Sequence, residues 1–130
     1  MPVAGQEECP QVPDKPLIVV VEDDYDICTI IAKFLSDQGY RLALANERSV
    51  GADILRATRP VLLIADVRLR GGNGDELAKI AHGMDVPVLL ISGEPVAIRD
   101  HRGGTIPFLM KPFRLAELAQ KVDAIIGRLR

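Results

Sequence analysis

Four apolar runs in this chain each end on a residue able to do chemistry. Glu22 and Asp23 follow Leu17-Ile18-Val19-Val20-Val21, and Asp66 follows Val61-Leu62-Leu63-Ile64-Ala65. Ser92 follows Pro87-Val88-Leu89-Leu90-Ile91, and Lys111 follows Ile106-Pro107-Phe108-Leu109-Met110. Gathered at one place, these groups supply three carboxylates, a hydroxyl and an ammonium. Carboxylates a few ångströms apart repel one another by roughly 4 kcal/mol per pair at ~4 Å and an effective dielectric near ~20. Such a cluster must hold protons or surround a cation. Hard oxygen ligands with room for water suit Mg2+. A lysine beside the cation builds a place for a second anion, and a phosphoryl group, whose charge a metal and an ammonium neutralise together, fits it. Taken singly, each residue also has a plainer reading. Asp24 or Asp26 suits a helix N-cap, Ser92 can cap the turn after it, and Lys111 can be a solvated surface lysine.

The elements that would position these groups can be read from hydrophobic periodicity. The run ending at Asp66 is continuous and bounded by punctuation, as in a strand buried on both faces at the centre of a sheet. Leu17–Val21 is β-branched and stops abruptly at the acidic pair, so it reads as the first strand. Ile27, Ile30, Ile31, Phe34 and Leu35 repeat at helical spacing and predict an amphipathic helix closed by Gly39. Tyr40–Ala45 reads as a second strand. Val50, Ile54 and Ala57 set a second helix over 49–58, which Pro60 stops. A third helix covers 74–82 with Leu77, Ile80 and Ala81 inward. The fourth strand is 87–91, and a short helix over 95–101 starts with Pro95 in its first turn. Ile106–Met110 is the fifth strand, placed at a sheet edge by Pro107, which has no donor to give a neighbour. The last helix turns Leu115, Leu118, Val122, Ile125, Ile126 and Leu129 inward. Five alternations of strand and helix predict a parallel sheet with right-handed crossovers and helices on both faces. Parallel strands point the same way, so their terminal residues share one rim, where open α/β sheets bind ligands.

With 130 residues, the chain is long enough for one domain with its own core. Charged residues are 26%, hydrophobic ones 48% and the formal net charge is −2; there is no basic field of the kind that holds nucleic acid. Cys9 and Cys28 lack metal-ligand or redox spacing and read as free thiols of a reducing cytosol. No apolar run approaches the ~20 residues of a membrane span, and no signal pattern opens the chain. The expected location is cytoplasmic. Residues 1–15, with Pro2, Pro10, Pro13, Glu7 and Glu8, show no periodicity and are expected to form a disordered tail before a domain of residues 16–130.

In Val20-Val21-Glu22-Asp23-Asp24, Pro60 through Asp66, Gly71 to Gly74, Ser92-Gly93 and Lys111-Pro112-Phe113, the chain resembles the receiver domain of two-component response regulators. The likeness runs from about Leu17 to Leu129. It implies a flavodoxin-like three-layer αβα sandwich with five parallel strands in the order 2-1-3-4-5 and five helices. It implies that Asp66 is the phosphoacceptor, taking a phosphoryl group from a histidine kinase or a histidine phosphotransfer protein. Glu22 and Asp23 would bind Mg2+ together with Asp66 and the backbone carbonyl of Arg68. Ser92 would bond a phosphoryl oxygen after transfer, Lys111 would pair with the phosphate, and Lys111-Pro112 would be a cis peptide. Phe108 would be the aromatic whose rotamer accompanies activation, though the residue reads equally as a simple core aromatic. No organic cofactor, nucleic acid or membrane is implied. The protein would assist its own phosphorylation and dephosphorylation without being a conventional enzyme. It would act on a downstream protein as a monomer or homodimer.

The departures from the family pattern are local. Arg70 stands where a proline is usual, and Glu22 where aspartate is commoner. The span from Ser92 to Phe108 is about three residues short and holds Pro95, Gly103, Gly104 and Pro107, so the fourth helix should be short or irregular. Arg68 lies two past Asp66 and Glu94 two past Ser92, which predicts an Arg–Glu pair at the site mouth governing attack of water. Competing readings fare worse. A flavin site needs a Ser/Thr/Gly-rich loop where Glu22-Asp23-Asp24 stands, and a haloacid-dehalogenase phosphatase needs an aspartate at Arg68. A DNA-binding regulator needs an output domain beyond the last helix. The remaining alternative is a receiver-like interaction module that signals without phosphorylation.

Overall fold

The computed structural model describes residues 15–69, 72–94 and 104–127. In chain order they form β1 (Leu17–Val21), α1 (Tyr25–Asp37), β2 (Arg41–Ala45), α2 (Arg48–Thr58), β3 (Leu62–Asp66), β4 (Arg68–Leu69), β5 (Gly72–Asn73), α3 (Gly74–Gly83), β6 (Val88–Ser92), β7 (Phe108–Met110) and α4 (Leu115–Gly127).

Five strands make one sheet in the order β2-β1-β3-β6-β7, every pairing parallel. The connectivity is the expected 2-1-3-4-5; the numbering shifts because β4 and β5 form a separate two-stranded antiparallel ladder just after β3. Successive side chains of a strand leave on opposite faces, and the core divides accordingly. Val19, Val21, Leu63, Ala65 and Leu90 pack against α2 and α3. Ile18, Val20, Leu62, Ile64, Leu89 and Ile91 pack against α1 and α4. β3 is buried at all five positions, as its continuous apolar run requires. Each fully buried Leu or Ile contributes ~1.5–3 kcal/mol relative to exposure.

Three sequence expectations about inner faces change. In α1 the buried stripe is Cys28, Ile31 and Leu35, while Ile30 is 52% exposed. In α2 the inner face is Gly51, Ala52, Ile54 and Leu55, with Val50 and Ala57 outward. Small residues let α2 lie close to the sheet, and they do not register as hydrophobic in a periodicity count. In α4, Leu118, Val122 and Ile126 are buried and Leu115 faces outward. The cap of α1 is Gln38, with Gly39 one residue beyond at φ +100°, a conformation that favours glycine. β7 begins at Phe108, two residues later than expected, and lies at the sheet edge as Pro107 predicts.

Four helices are found among the described residues; the short helix expected over 95–101 falls outside them, as do Leu129 and residues 1–14 of the expected tail. Lys15 is exposed, and its carbonyl accepts a hydrogen bond from Arg41 Nε at 2.9 Å. Among the described residues no helix is long and apolar enough to cross a membrane.

Candidate functional site

The sheet register brings the strand ends together. Val21 pairs with Ala65, Asp66 with Ile91 and Ser92 with Met110, so the residues just past these positions converge on one rim. Glu22 continues β1 by donating its amide to the Ala45 carbonyl at 3.0 Å, and its side chain is fully buried. Its Oε2 accepts from the Asp24 amide at 3.2 Å. Asp24 caps α1, its Oδ1 accepting from the Ile27 amide at 3.1 Å, so the plainer reading holds for this residue. Asp23 is exposed beside them, and one carboxylate oxygen from each of Glu22, Asp23 and Asp66 lies within 4.8 Å of the others.

Asp66 ends β3 and is 6% exposed. Its Oδ2 accepts from Lys111 Nζ at 2.6 Å, and its Oδ1 accepts from the backbone amide of Arg68 at 2.9 Å. The same ammonium stands 2.7 Å from Glu22 Oε1. That approach is an ion pair, and this buried oxygen keeps a lone pair unmatched among the described residues. Lys111 is held by its own amide, which donates to the Ser92 carbonyl at 2.7 Å, and the Lys111-Pro112 peptide is cis.

Electrostatics follow from this burial. Removal from water pushes the Glu22 carboxyl up to about 7, against the pull of the Lys111 ammonium. Burial alone would lower Lys111, but its bonds to Asp66 and Glu22 outweigh that and raise it. Cys28, free and buried beneath the site, is pushed up to about 11 by burial and by the charge of Glu22.

Ser92 is buried at the end of β6. Its hydroxyl donates to the Glu94 carbonyl at 2.5 Å and accepts from the Glu94 amide at 3.1 Å, so here too the turn-capping reading holds. Arg68 Nη2 and Glu94 Oε1 pair at 3.1 Å across the mouth, with side chains 78% and 68% exposed, as the spacing predicts. Phe108 is half-buried against the cluster on the α2–α3 face.

Two features escaped the sequence reading. The Arg68 amide is a donor to Asp66, and backbone donors leave no trace in side-chain patterns. Gly74, the first residue of α3, lies against the Asp66 carbonyl; an added Cβ would overlap that oxygen and stand 3.0 Å from its carbon. The glycine at a helix start after a strand-terminal aspartate was the available signal.

The sequence pattern of the response regulator receiver domain matches residues 18–123. The chain belongs to that family. Relatives of this receiver chain include the nitrogen assimilation regulatory protein NtrX of Azorhizobium caulinodans, 30% identical over 87% of this chain and 26% of that protein. Response regulator MprA of Mycobacterium tuberculosis is 31% identical over 87% of this chain and 51% of that protein. The chain thus spans about half or less of these curated relatives. Among solved structures, the non-phosphorylated HemR receiver domain from Leptospira biflexa superposes with TM-score 0.77 at 30% identity, over 86% of this chain and 94% of that one. The receiver domain of the hybrid histidine kinase CckA gives 0.73 at 30% identity, over 85% and 98%. The flavodoxin-like fold and the receiver assignment therefore agree between sequence and structure.

Proposed function

We propose that this receiver domain accepts a phosphoryl group on Asp66 and passes the signal on through protein contacts. The observation that carries the reading is the Lys111 ammonium, 2.6 Å from Asp66 Oδ2 and 2.7 Å from Glu22 Oε1, with Asp23 completing the acidic cluster. The donor set fits a divalent cation: its oxygens are hard, its members lie close together, and Glu22 Oε1 is buried with a lone pair unmatched. Glu22, Asp23, Asp66 and the Arg68 carbonyl would hold Mg2+, which when bound supplies positive charge against the phosphoryl oxygens.

The chain's own residues do the rest. An Asp66 carboxylate oxygen attacks the phosphorus of a phosphohistidine; the P–N bond breaks, its electron pair stays on the imidazole, and an aspartyl phosphate forms. Lys111 exchanges its bond to Asp66 Oδ2 for one to a phosphoryl oxygen. Ser92 leaves Glu94 and donates to another, and Phe108 changes rotamer with it. A histidine kinase or histidine phosphotransfer protein is the donor, and the downstream partner is a protein. The chain works in the cytoplasm as a signalling domain.

The test is incubation with acetyl phosphate and Mg2+, read by intact-protein mass. The wild type should gain one phosphoryl group, labile to hydroxylamine as an acyl phosphate is, and Asp66→Asn should gain none. A wild type that stays unlabelled would leave the phosphorylation-independent interaction module as the better account.

A further inference from the structure

Glu94 holds two things at once. Its backbone amide and carbonyl engage the Ser92 hydroxyl, and its carboxylate engages Arg68. Arg68 in turn is rooted beside the nucleophile, since its amide donates to Asp66 Oδ1 at 2.9 Å. A chain of contacts therefore runs from Asp66 through Arg68 and Glu94 to Ser92.

We propose that Arg68 is a charge-exchange switch: in the resting domain its guanidinium anchors Glu94, and on phosphorylation it transfers to the phosphoryl oxygens, releasing Glu94 and with it the Ser92 hydroxyl. The proposal rests on Asp66 being the phosphoacceptor. Three physical points support it. A phosphoryl group offers a larger charge and several acceptor oxygens, where arginine binds with two parallel bonds. The resting pair is largely exposed, and exposed ion pairs contribute little to stability, so it yields readily to a stronger anion. The single O–H donor of Ser92 is spent on the Glu94 carbonyl, so its service to a phosphoryl oxygen requires that the turn open.

The sign of each substitution follows. Glu94→Gln removes the resting anchor and frees Arg68, so the phosphorylated arrangement forms more easily. Arg68→Ala removes the group that receives the phosphoryl oxygens, so it forms less easily. Both side chains are exposed, and neither change threatens folding.

The experiment is titration of the Mg2+-loaded domain with beryllofluoride, a phosphoryl mimic, read by NMR of the Ser92 and Glu94 amides. Glu94→Gln should bind on the order of two- to fivefold tighter than wild type, and Arg68→Ala weaker by a similar factor. General electrostatics alone would also give opposite signs, so the double variant decides. If Glu94 acts through Arg68, Glu94→Gln adds nothing in the Arg68→Ala background; full additivity overturns the exchange. The Glu94 amide should also exchange with solvent faster in metal-loaded Glu94→Gln before any mimic is added, and unchanged exchange overturns the link to Ser92. A wild type blind to beryllofluoride removes the phosphoacceptor reading and the switch together. Binding that the variants alter additively removes the switch alone.

Discussion

At the scale of single residues, the site is a problem of too many negative charges around one ammonium. Glu22 and Asp66 are buried and Asp23 stands beside them, while Lys111, alone among the described residues, bridges the buried pair. Burial first, and the neighbouring Asp66 after it, raises the Glu22 carboxyl from 4.5 to about 7. Between those values the folded domain holds a proton that the unfolded chain has released. Stability from this group is therefore fully present below about pH 4.5 and is lost as pH rises through about 7. A bound cation acts in the opposite sense, because it needs the carboxylate and must displace the proton. The increase in melting temperature produced by millimolar Mg2+ should accordingly be larger at pH 8 than at pH 6, measured by differential scanning fluorimetry against EDTA. Equal increments at both values would mean that Glu22 does not meet the metal. These residues were legible because each one ends an apolar run. What the sequence hid was the bonding among them: that one lysine serves two acids, and that Ser92 spends its hydroxyl on the backbone of Glu94.

At the scale of elements, the start of α3 is the tightest constraint. Gly74 donates its amide to Val67 at 2.8 Å and faces the Asp66 carbonyl at a separation that leaves no room for a methyl group. The obstructing atom is backbone, held in β3 between β1 and β6, and cannot swing away as a side-chain tip would. Gly74→Ala must therefore tilt α3 or push Asp66 out of line, and a loss of about 1–3 kcal/mol is expected, in the range for overpacking. Urea denaturation should show it, together with slower labelling of Asp66. Gly83→Ala is the internal control. It closes the same helix, nothing lies within 4 Å of its added Cβ, and its φ is not positive. It should be neutral or stabilising by up to about 1 kcal/mol. If both alanines behave alike, the close approach is not what matters. Among the described residues the four helices and the five strands of the main sheet were plain in the periodicity, but phase was not. Periodicity assigned Val50 and Ala57 to the inner face of α2, whereas Gly51 and Ala52 occupy it. Which face goes inward depends on how near the sheet comes, and only the partner surface sets that. The β4–β5 ladder was hidden for another reason: two-residue strands around glycines carry no periodicity to detect.

At the scale of the whole molecule, the alternation of strands and helices determined the architecture, because parallel strands with short crossovers leave few arrangements. The same arrangement forces a conflict between stability and function. One rim must collect the ends of β1, β3, β6 and β7, and the two hydrophobic clusters on opposite faces of the sheet hold it there. Net stabilities of domains are only about 5–15 kcal/mol, so crowding acids at the rim costs a visible fraction of the whole. Replacing one acid by its neutral isostere should return part of that cost. In Asp66→Asn the side chain keeps an oxygen for the Arg68 amide, the Lys111 ammonium keeps Glu22, and the repulsion among Glu22, Asp23 and residue 66 falls. The metal-free variant should be more stable than wild type by about 1 kcal/mol, taking the Coulomb gain at high effective dielectric less the weakened bond to Lys111. The gain should shrink when Mg2+ is added, because the cation relieves the same repulsion in the wild type. Urea denaturation in EDTA and in Mg2+ measures both quantities. A variant less stable than wild type in EDTA would mean that the Lys111–Asp66 bond outweighs the repulsion, and that the acidic rim is no burden on the fold.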